Sequence, residues 1–291
     1  MPAASPQPLR NISDTALLVA YYRTLETRRP DAIFRDTYAE RLGGERAEQI
    51  ARSMRFINFS AWPNITRAYL GDQMILQEVQ RGVDVVLNLA AGLDSRAYRL
   101  DLPASLRWIE VDLPEMIAYK KQTLAGDKPR CRLDHVVLDL ADVEARRRLF
   151  GEVNQSANRV LVNSEGLLVY LKQEAVAELA RDLAAQPHFT TWIADIAGPA
   201  VLKRMKKHWG KKLEAANAQM YFAPEDSADF FKPYGWKEEE FRNLFFEAER
   251  LNRVPKFMRF MMKVSKALTP KSRFERRMKE WKTGVVRFVR A

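Results

Sequence analysis

Large apolar residues recur along the chain in two alternating arrangements, short continuous runs and stripes with a helical period. A continuous apolar run is typical of a strand that is buried on both faces of a parallel sheet. A stripe with apolar residues three and four positions apart predicts a helix. Strands that alternate with helices predict βαβ units, and therefore an α/β fold with a mainly parallel sheet. The runs predict strands at 84–89, 107–111, 134–138, 159–163 and 189–195, with helical segments between them.

The first predicted strand continues into a turn of small residues. The strand 85–89 (VVLNL) is followed by Ala-Ala-Gly at 90–92, where small side chains let a ligand lie against the backbone. Asp94 and Ser95 come next and are candidates for helix N-caps. Asp112 follows the glycine of the turn after twenty positions, at the end of the second predicted strand. An acid at that spacing holds the ribose hydroxyls in nucleotide-binding α/β domains.

The turn contains a single glycine, Gly92. A dinucleotide-binding turn has the pattern G-x-G-x-x-G, because its glycines let the backbone hold a pyrophosphate. The pattern here favours a cofactor that has a ribose but no phosphate, and S-adenosyl-L-methionine fits that description. Two alternatives remain open: a nicotinamide-dependent oxidoreductase on a similar sheet, and a strand with its crossover helix that binds no ligand.

Further acidic residues follow the other predicted strands. Ligands of open α/β sheets lie outside the carboxyl ends of the strands, so these positions are candidates for a site. Asp139 and Leu140 suit an adenine, with a carboxylate for the amine and an apolar wall for the ring. Glu165 lies between apolar segments and needs a partner if it is buried, which the cationic end of the cofactor would supply. Asp195 follows the fifth strand, and for each acid the alternative is a helix N-cap or a solvated loop.

The remaining segments divide the chain into two predicted regions. Residues 1–80 predict an N-terminal helical cap, with a helix at 15–30 and another at 64–79 directly after a proline. Residues 81–291 predict the cofactor-binding domain. Within that domain, an irregular segment at about 198–232 predicts a lid-like insertion after the fifth strand.

The formal net charge of +11 is concentrated at the C-terminal end. Residues 250–291 contain fourteen Lys or Arg and two Asp or Glu, whereas the preceding part carries 34 basic and 35 acidic residues. A nucleic-acid-binding or membrane-surface protein is therefore a further alternative. The apolar stripe within 257–268 is expected to pack on the protein body beneath a basic face. The last run, 283–291, predicts an edge strand whose arginines guard an exposed edge.

Cysteine and histidine usage points away from disulfides and metals. The lone cysteine, Cys131, allows no internal disulfide, and we expect a protein of the reducing cytoplasm. His135, His188 and His208 are scattered without metal-ligand spacing, and we expect no metal site. No apolar run approaches the length of a membrane span.

Four segments of the chain carry a resemblance: LNLAAGLDSRAYRL (87–100), EVDLPEMIAYK (110–120), VLDL (137–140) and SEGLLVYL (164–171). Together they resemble the leucine carboxyl methyltransferase superfamily of class I S-adenosyl-L-methionine-dependent enzymes, whose bacterial branch is related to polyketide O-methyltransferases. The resemblance covers roughly residues 12–253, and it implies a Rossmann-like, mainly parallel sheet of seven strands. The alanine at 90 and the serine at 95 are mild departures from the more usual L-G-A-G and D-T.

The resemblance also implies a function and a set of site residues. It implies an O-methyltransferase, and the absence of a histidine at any predicted strand end favours an acceptor that arrives ionised, a carboxylate or acidic hydroxyl of a small molecule. Arg67 matches the arginine that contacts the cofactor's carboxylate, and Tyr170 matches a tyrosine on the acceptor side. The remaining cofactor-binding positions that match are Ala90 and Gly92 in the turn, Asp112 at the ribose, Asp139 and Leu140 at the adenine, and Glu165.

Overall fold

The computed structural model describes residues 12–53, 57–215, 219–268 and 282–291 of the chain. Its strands form one seven-stranded sheet. They are β1 (Val85–Leu89), β2 (Arg107–Asp112), β3 (Arg132–Val137), β4 (Val160–Ser164), β5 (Phe189–Ile196), β6 (Trp236–Asn243) and β7 (Gly284–Arg290). In space their order is β3-β2-β1-β4-β5-β7-β6.

The first five strands run in one direction. Each neighbouring pair from β3 across to β5 is parallel, so the carboxyl ends of these strands meet at one edge, which we name the carboxyl edge. The strand β7 runs antiparallel to both of its neighbours. The mainly parallel α/β sheet predicted from the apolar runs is confirmed.

The position of β7 differs from the prediction of an edge strand. It lies inside the sheet, between β5 and β6, and β6 occupies the edge. Arg287 therefore does not guard an open edge; its guanidinium is buried and pairs with Glu78, Glu239 and Glu240. The alternation of apolar and basic residues indicated a strand correctly, but it could not indicate that acidic residues of other elements neutralise the arginine.

Helices cover both faces of the sheet. They are α1 (Ile12–Thr27), α2 (Ala39–Ser53), α3 (Ile57–Gln80), α4 (Arg96–Arg99), α5 (Pro114–Thr123), α6 (Val143–Gln155), α7 (Gln173–Ala184), α8 (Pro199–Ala215), α9 (Leu244–Arg250) and α10 (Lys256–Leu268). Alternate residues of β1 enter two cores: Val85, Leu87 and Leu89 pack toward α6 and α7, and Val86 packs toward α3.

Two helical segments differ from their predicted form. The helix α3 continues through Pro63, although the sequence placed its start after that residue. A proline inside a helix forfeits a backbone hydrogen bond, and the burial of Ala61 and Ile65 against Tyr22 offsets that loss. The segment predicted to be irregular contains α8, because its apolar positions, Leu202 among them, pack at helical spacing despite the many lysines.

The apolar stripe of α10 was expected to pack on the body, and this expectation is wrong for part of the stripe. Phe257, Phe260 and Met261 are 65%, 62% and 49% exposed. A helical period shows that one face is apolar, but it does not show what that face contacts. Among the described residues, no helix is both long and apolar enough to cross a bilayer.

Candidate active site

The turn after β1 is held to the end of β2 by a carboxylate. Ala90 and Gly92 both have left-handed backbone conformations, with φ of 50° and 51°. The backbone N–H of Gly92 donates to Oδ2 of Asp112 over 2.6 Å, and that of Leu113 donates to Oδ1 over 2.7 Å. Burial raises the pKa of Asp112, although these two hydrogen bonds act to lower it. The turn and the acid predicted to hold a ribose therefore lie side by side at the carboxyl edge.

The residues predicted to bind an adenine follow β3, the strand next to β2 in the sheet. Asp139 and Leu140 follow β3, whose end is joined to β2 by a hydrogen bond from the N–H of Leu138 to the carbonyl of Asp112, 3.0 Å long. Asp139 is exposed and accepts from the N–H of Ala141. The carboxyl edge thus carries Asp112 and Asp139 on adjacent strand ends.

Arg67 joins the ends of β4 and β5. Its Nε lies 3.1 Å from Oε1 of Glu165, and its Nη1 lies 3.0 Å from Oδ2 of Asp195. Burial lowers the pKa of the Arg67 guanidinium, but the charges of Asp195 and Glu165 more than offset this, so its pKa is raised. The guanidinium predicted to face a cofactor carboxylate and the carboxylate predicted to face a cation are therefore in direct contact.

The residue after Glu165 allows this contact. Gly166 has a left-handed backbone with φ of 71°, and its N–H donates to Oδ1 of Asp195 over 2.6 Å. A Cβ at Gly166 would lie 3.6 Å from the guanidinium of Arg67, an ordinary contact distance, so the left-handed backbone rather than the available space favours glycine here. Asp195, for which a helix cap was the alternative, instead binds Arg67 and the turn at Gly166.

A second arginine, which the sequence reasoning did not select, contacts the other oxygen of Glu165. Nη2 of Arg96 lies 2.7 Å from Oε2 of Glu165, and the same guanidinium pairs with Asp72 at 2.7 Å and Asp94 at 2.9 Å. Burial raises the pKa of Glu165, but Arg96 and Arg67 lower it further, so Glu165 stays ionised at neutral pH. Gly71 makes room for this arrangement, because a Cβ there would lie 2.7 Å from Nη2 of Arg96. The sequence signal for this residue was its place in the SRAYR segment (95–99), directly after the turn, where Arg96 is the first of two arginines.

The ionic contacts continue into the N-terminal helices. Arg99 pairs with Asp72 at 2.6 Å, and Arg23 of α1 pairs with Asp36 at 3.2 Å. Ser95 occupies the N-cap position of α4, as the sequence indicated, but its hydroxyl donates to Oδ2 of Asp36 over 2.7 Å and makes no capping hydrogen bond. Asp94 accepts from the N–H of Arg96, at 2.9 Å, as a residue near a helix start is expected to do. The N-terminal helices and the carboxyl edge are thus joined by charged side chains.

Tyr170 lies near Arg67, whose charge acts on its phenol. It belongs to a short 3₁₀ helix, Leu168–Tyr170, and packs in a cluster with residues of α1 and α8. Burial raises its pKa, while a hydrogen bond with the side chain of Thr15 and the charge of Arg67 act in the opposite direction. The phenol therefore stays protonated at neutral pH.

Comparison with solved structures identifies the class of fold. A DUF574 family protein from Streptomyces avermitilis superposes with a TM-score of 0.60 at 12% identity, over 95% of this chain and 97% of that one. An O-methyltransferase family protein from Burkholderia thailandensis superposes with a TM-score of 0.50 at 13% identity, over 96% of this chain and 72% of that one. The fold is that of the class I, Rossmann-like methyltransferases.

Comparison of sequences identifies the family. The leucine carboxyl methyltransferase family profile matches residues 16–184, more than half of the chain. This protein belongs to that family, as the resemblance predicted. A Mycobacteroides abscessus protein provisionally named an S-adenosyl-L-methionine-dependent methyltransferase is 34% identical over 188 residues, which are 60% of this chain and 61% of that protein. A Frankia alni protein with the same provisional name is 30% identical over 243 residues, 78% of this chain and 83% of that protein.

The chain spans about three fifths of the length of the first curated relatives that it matches.

Proposed function

We propose that this protein is an S-adenosyl-L-methionine-dependent O-methyltransferase that methylates a carboxylate or acidic hydroxyl of a small molecule. The observation that carries the proposal is the contact of Arg67 with Glu165 and Asp195, at the same sheet edge as the small-residue turn and Asp112. An amino acid moiety needs a guanidinium for its carboxylate and carboxylates for its ammonium. A ribose needs an acid close to a turn that the ligand can approach.

The charges at the carboxyl edge fit this cofactor. The connected ionic groups contain four guanidinium groups and five carboxylates, so carboxylates are in excess. S-adenosyl-L-methionine carries a net positive charge at neutral pH, which matches that excess. These groups are Arg23, Arg67, Arg96, Arg99, Asp36, Asp72, Asp94, Glu165 and Asp195.

Each predicted cofactor residue has a role in this proposal. Asp112 would accept the ribose hydroxyls, and Ala90 and Gly92 present a turn without large side chains to the ligand. Asp139 and Leu140 would bind the adenine edge and ring. The cofactor supplies an electrophilic methyl group on its sulfonium sulfur. The protein then has to align the acceptor and exclude water, rather than form a covalent intermediate.

The chemistry of the neighbouring side chains supports an acceptor that arrives ionised. Burial keeps Tyr170 protonated, so it can donate a hydrogen bond to an acceptor oxygen but is a poor general base at neutral pH. Glu165 is a weak base, because Arg96 and Arg67 together lower its pKa. His135 lies on β3 near Glu110, and His188 bonds to Asn154 just before β5, away from the carboxyl edge. An acceptor that is already an anion needs no base.

We also propose roles for two regions of the chain, the N-terminal helices and the insertion after β5. Residues 1–80 act as a helical cap over the domain 81–291, and the insertion at about 198–232 covers the acceptor side. The hydrogen bond from Arg23 to the carbonyl of Leu93, 2.6 Å long, supports the first part, since it joins α1 to the cofactor turn. The packing of Tyr170 against Leu202 of α8 supports the second.

Calorimetric titration tests the cofactor. We expect saturable binding of S-adenosylhomocysteine by the full chain and none of NAD, because the turn has one glycine and no second one for a pyrophosphate. The variant Arg67→Met should bind S-adenosylhomocysteine more weakly, whereas Arg147→Met, on the exposed face of α6, should bind as the parent does. Saturable NAD binding without a response to S-adenosylhomocysteine would refute the proposal.

Transfer of a radioactive methyl group tests the acceptor. A panel of carboxylic acids, acidic phenols, amines and thiols is incubated with the protein and methyl-labelled S-adenosyl-L-methionine. We expect label only in acids and acidic hydroxyls. Mild alkali releases volatile methanol from a methyl ester but not from a methyl ether, which separates the two oxygen acceptors. Label confined to amines or thiols would contradict O-methylation while leaving methyl transfer intact.

A further inference from the structure

We propose that α10 docks this protein on an anionic lipid surface. Three of its large apolar side chains face solvent: Phe257, Phe260 and Met261. They lie three and four positions apart and so occupy one side of the helix over successive turns. Soluble proteins expose such side chains singly, and a cluster on one helix face marks an interaction surface.

Basic residues flank this apolar face. Lys256 is exposed, and Arg259 is partly exposed and lies on a different side of the helix from Phe257. Helices that lie in a membrane interface have this arrangement, with phenylalanine on one face and lysine or arginine on the other. The helix has thirteen residues, or about 20 Å of axis, so its length suits contact with a surface rather than a span across a bilayer.

The charge distribution indicates an anionic partner. Residues 250–291 carry fourteen basic and two acidic residues, while the rest of the chain is nearly balanced. Cationic segments gain affinity for anionic lipid headgroups, which attract each lysine or arginine near the surface. Four of these basic residues, Arg250, Arg253, Lys282 and Arg287, are paired with carboxylates. The other ten still exceed the two acidic residues of the segment, which also contains the exposed apolar side chains.

Two other kinds of partner would match either the basic residues or the exposed apolar side chains, but not both. Nucleic acid would attract the basic residues but leave Phe257 and Phe260 without apolar contact. A second copy of the chain would cover the apolar side chains but would bring two strongly basic segments together, and like charges repel. A bilayer with anionic headgroups offers negative charge and an apolar layer in one surface, so it satisfies both features.

Vesicle flotation tests the proposal with the full chain. We expect the protein to float with vesicles of phosphatidylglycerol and phosphatidylcholine at physiological salt, and to remain behind with vesicles of phosphatidylcholine alone. The variant Phe257→Ala/Phe260→Ala/Met261→Ala should bind about a hundredfold more weakly, since it loses three apolar side chains. These side chains are exposed, so the melting temperature should not change.

Charge variants separate a specific contact from nonspecific attraction. Lys256→Gln/Arg259→Gln removes two basic residues from α10 and should weaken binding about tenfold or more. Lys203→Gln/Lys206→Gln is the matched control, because it removes two exposed basic residues from α8. The control should change binding by less than about twofold. Equal losses in both variants would overturn the proposal, because net charge alone would then explain the attraction.

Three further outcomes would overturn it. The first is an absence of flotation with anionic vesicles. The second is a dimer in sedimentation velocity that the triple alanine variant abolishes while flotation is unaffected, which would make this face an interface between copies. The third is tight binding of duplex DNA at physiological salt without vesicle binding, which would make the segment a nucleic-acid contact.

Discussion

Replacement of Arg96 by methionine is the most informative perturbation of this protein. The guanidinium is 3% exposed and contacts three carboxylates, those of Asp72, Asp94 and Glu165. Methionine keeps most of the volume of the side chain and removes only the charge and the hydrogen bonds. The loss of stability therefore reports the ionic contacts rather than a cavity.

The expected loss of stability depends on which partners each of the three carboxylates retains in the variant. Asp72 still pairs with Arg99, and Glu165 still pairs with Arg67. Asp94 keeps a hydrogen bond from Asn88 but loses the guanidinium that contacts it. Burial raises the pKa of Asp94, and the variant lacks Arg96, the charge that lowers this pKa most. Protonating an ordinary aspartate at pH 7 costs about 4 kcal/mol, which limits the penalty for that group. We therefore expect a loss of about 3–5 kcal/mol, rather than three times that value.

The loss should depend on pH in a defined direction. In the parent protein the lowered pKa of Asp94 contributes stability above its unfolded pKa of about 3.9, and this contribution is lost as the pH falls through the folded pKa. In Arg96→Met the buried carboxyl of Asp94 is more stable protonated than ionised, so the variant loses most stability at neutral pH, where protonation is least favourable. At pH 4.5 protonation costs about 1 kcal/mol, and the difference between the proteins should shrink accordingly.

Urea unfolding at pH 7 and at pH 4.5 measures both effects. The control is Arg52→Met, which removes an exposed pair with Glu48 on α2 and should cost less than about 1 kcal/mol. Adding Asp94→Asn to Arg96→Met should restore part of the lost stability, since it removes the unpaired charge. A variant within about 1 kcal/mol of the parent at pH 7, or a loss that is the same at both pH values, would refute the reasoning.

Three other predictions concern the site, the C-terminal strand and a buried acid. Asp112→Ala should weaken S-adenosylhomocysteine binding by about 1.5–3 kcal/mol in calorimetry, through loss of charged hydrogen bonds, whereas Tyr170→Phe should leave it nearly intact; equal losses would contradict the assignment of the two residues. Ending the chain at Arg250 removes β7 from between its neighbours, so the cooperative thermal transition should disappear, and an unchanged transition would contradict an internal β7. Burial raises the pKa of Glu110 to about 7, although Lys120 attracts its charge. The contribution of Glu110 to stability should therefore be lost as the pH rises through about 7, and Glu110→Gln should flatten that decline in urea midpoints, whereas an unaltered slope would show another group to be responsible.

Local features of the sequence were enough to predict the sheet and part of the candidate site. The apolar run of β1 and the small residues after it predicted a strand and an open turn, because both properties depend on neighbouring residues only. Asp112 could be placed from its spacing, since consecutive strands of a βαβ unit end at the same edge. The single glycine of the turn, Gly92, favoured a cofactor without a pyrophosphate for the same local reason.

Other features were decided only by the tertiary structure. Arg67 and Asp195 are 128 positions apart, and Arg96 and Glu165 are 69 apart, yet each pair forms a direct ion pair. The sequence shows that these residues are charged, but which charges meet depends on the order of the strands and on the crossing of α3 over the sheet. The position of β7 between β5 and β6 is likewise determined by long-range strand pairing, which a local apolar pattern does not predict. Periodicity predicts that a helix has an apolar face, as in α10, but only the packed chain determines whether that face is buried or left for a partner.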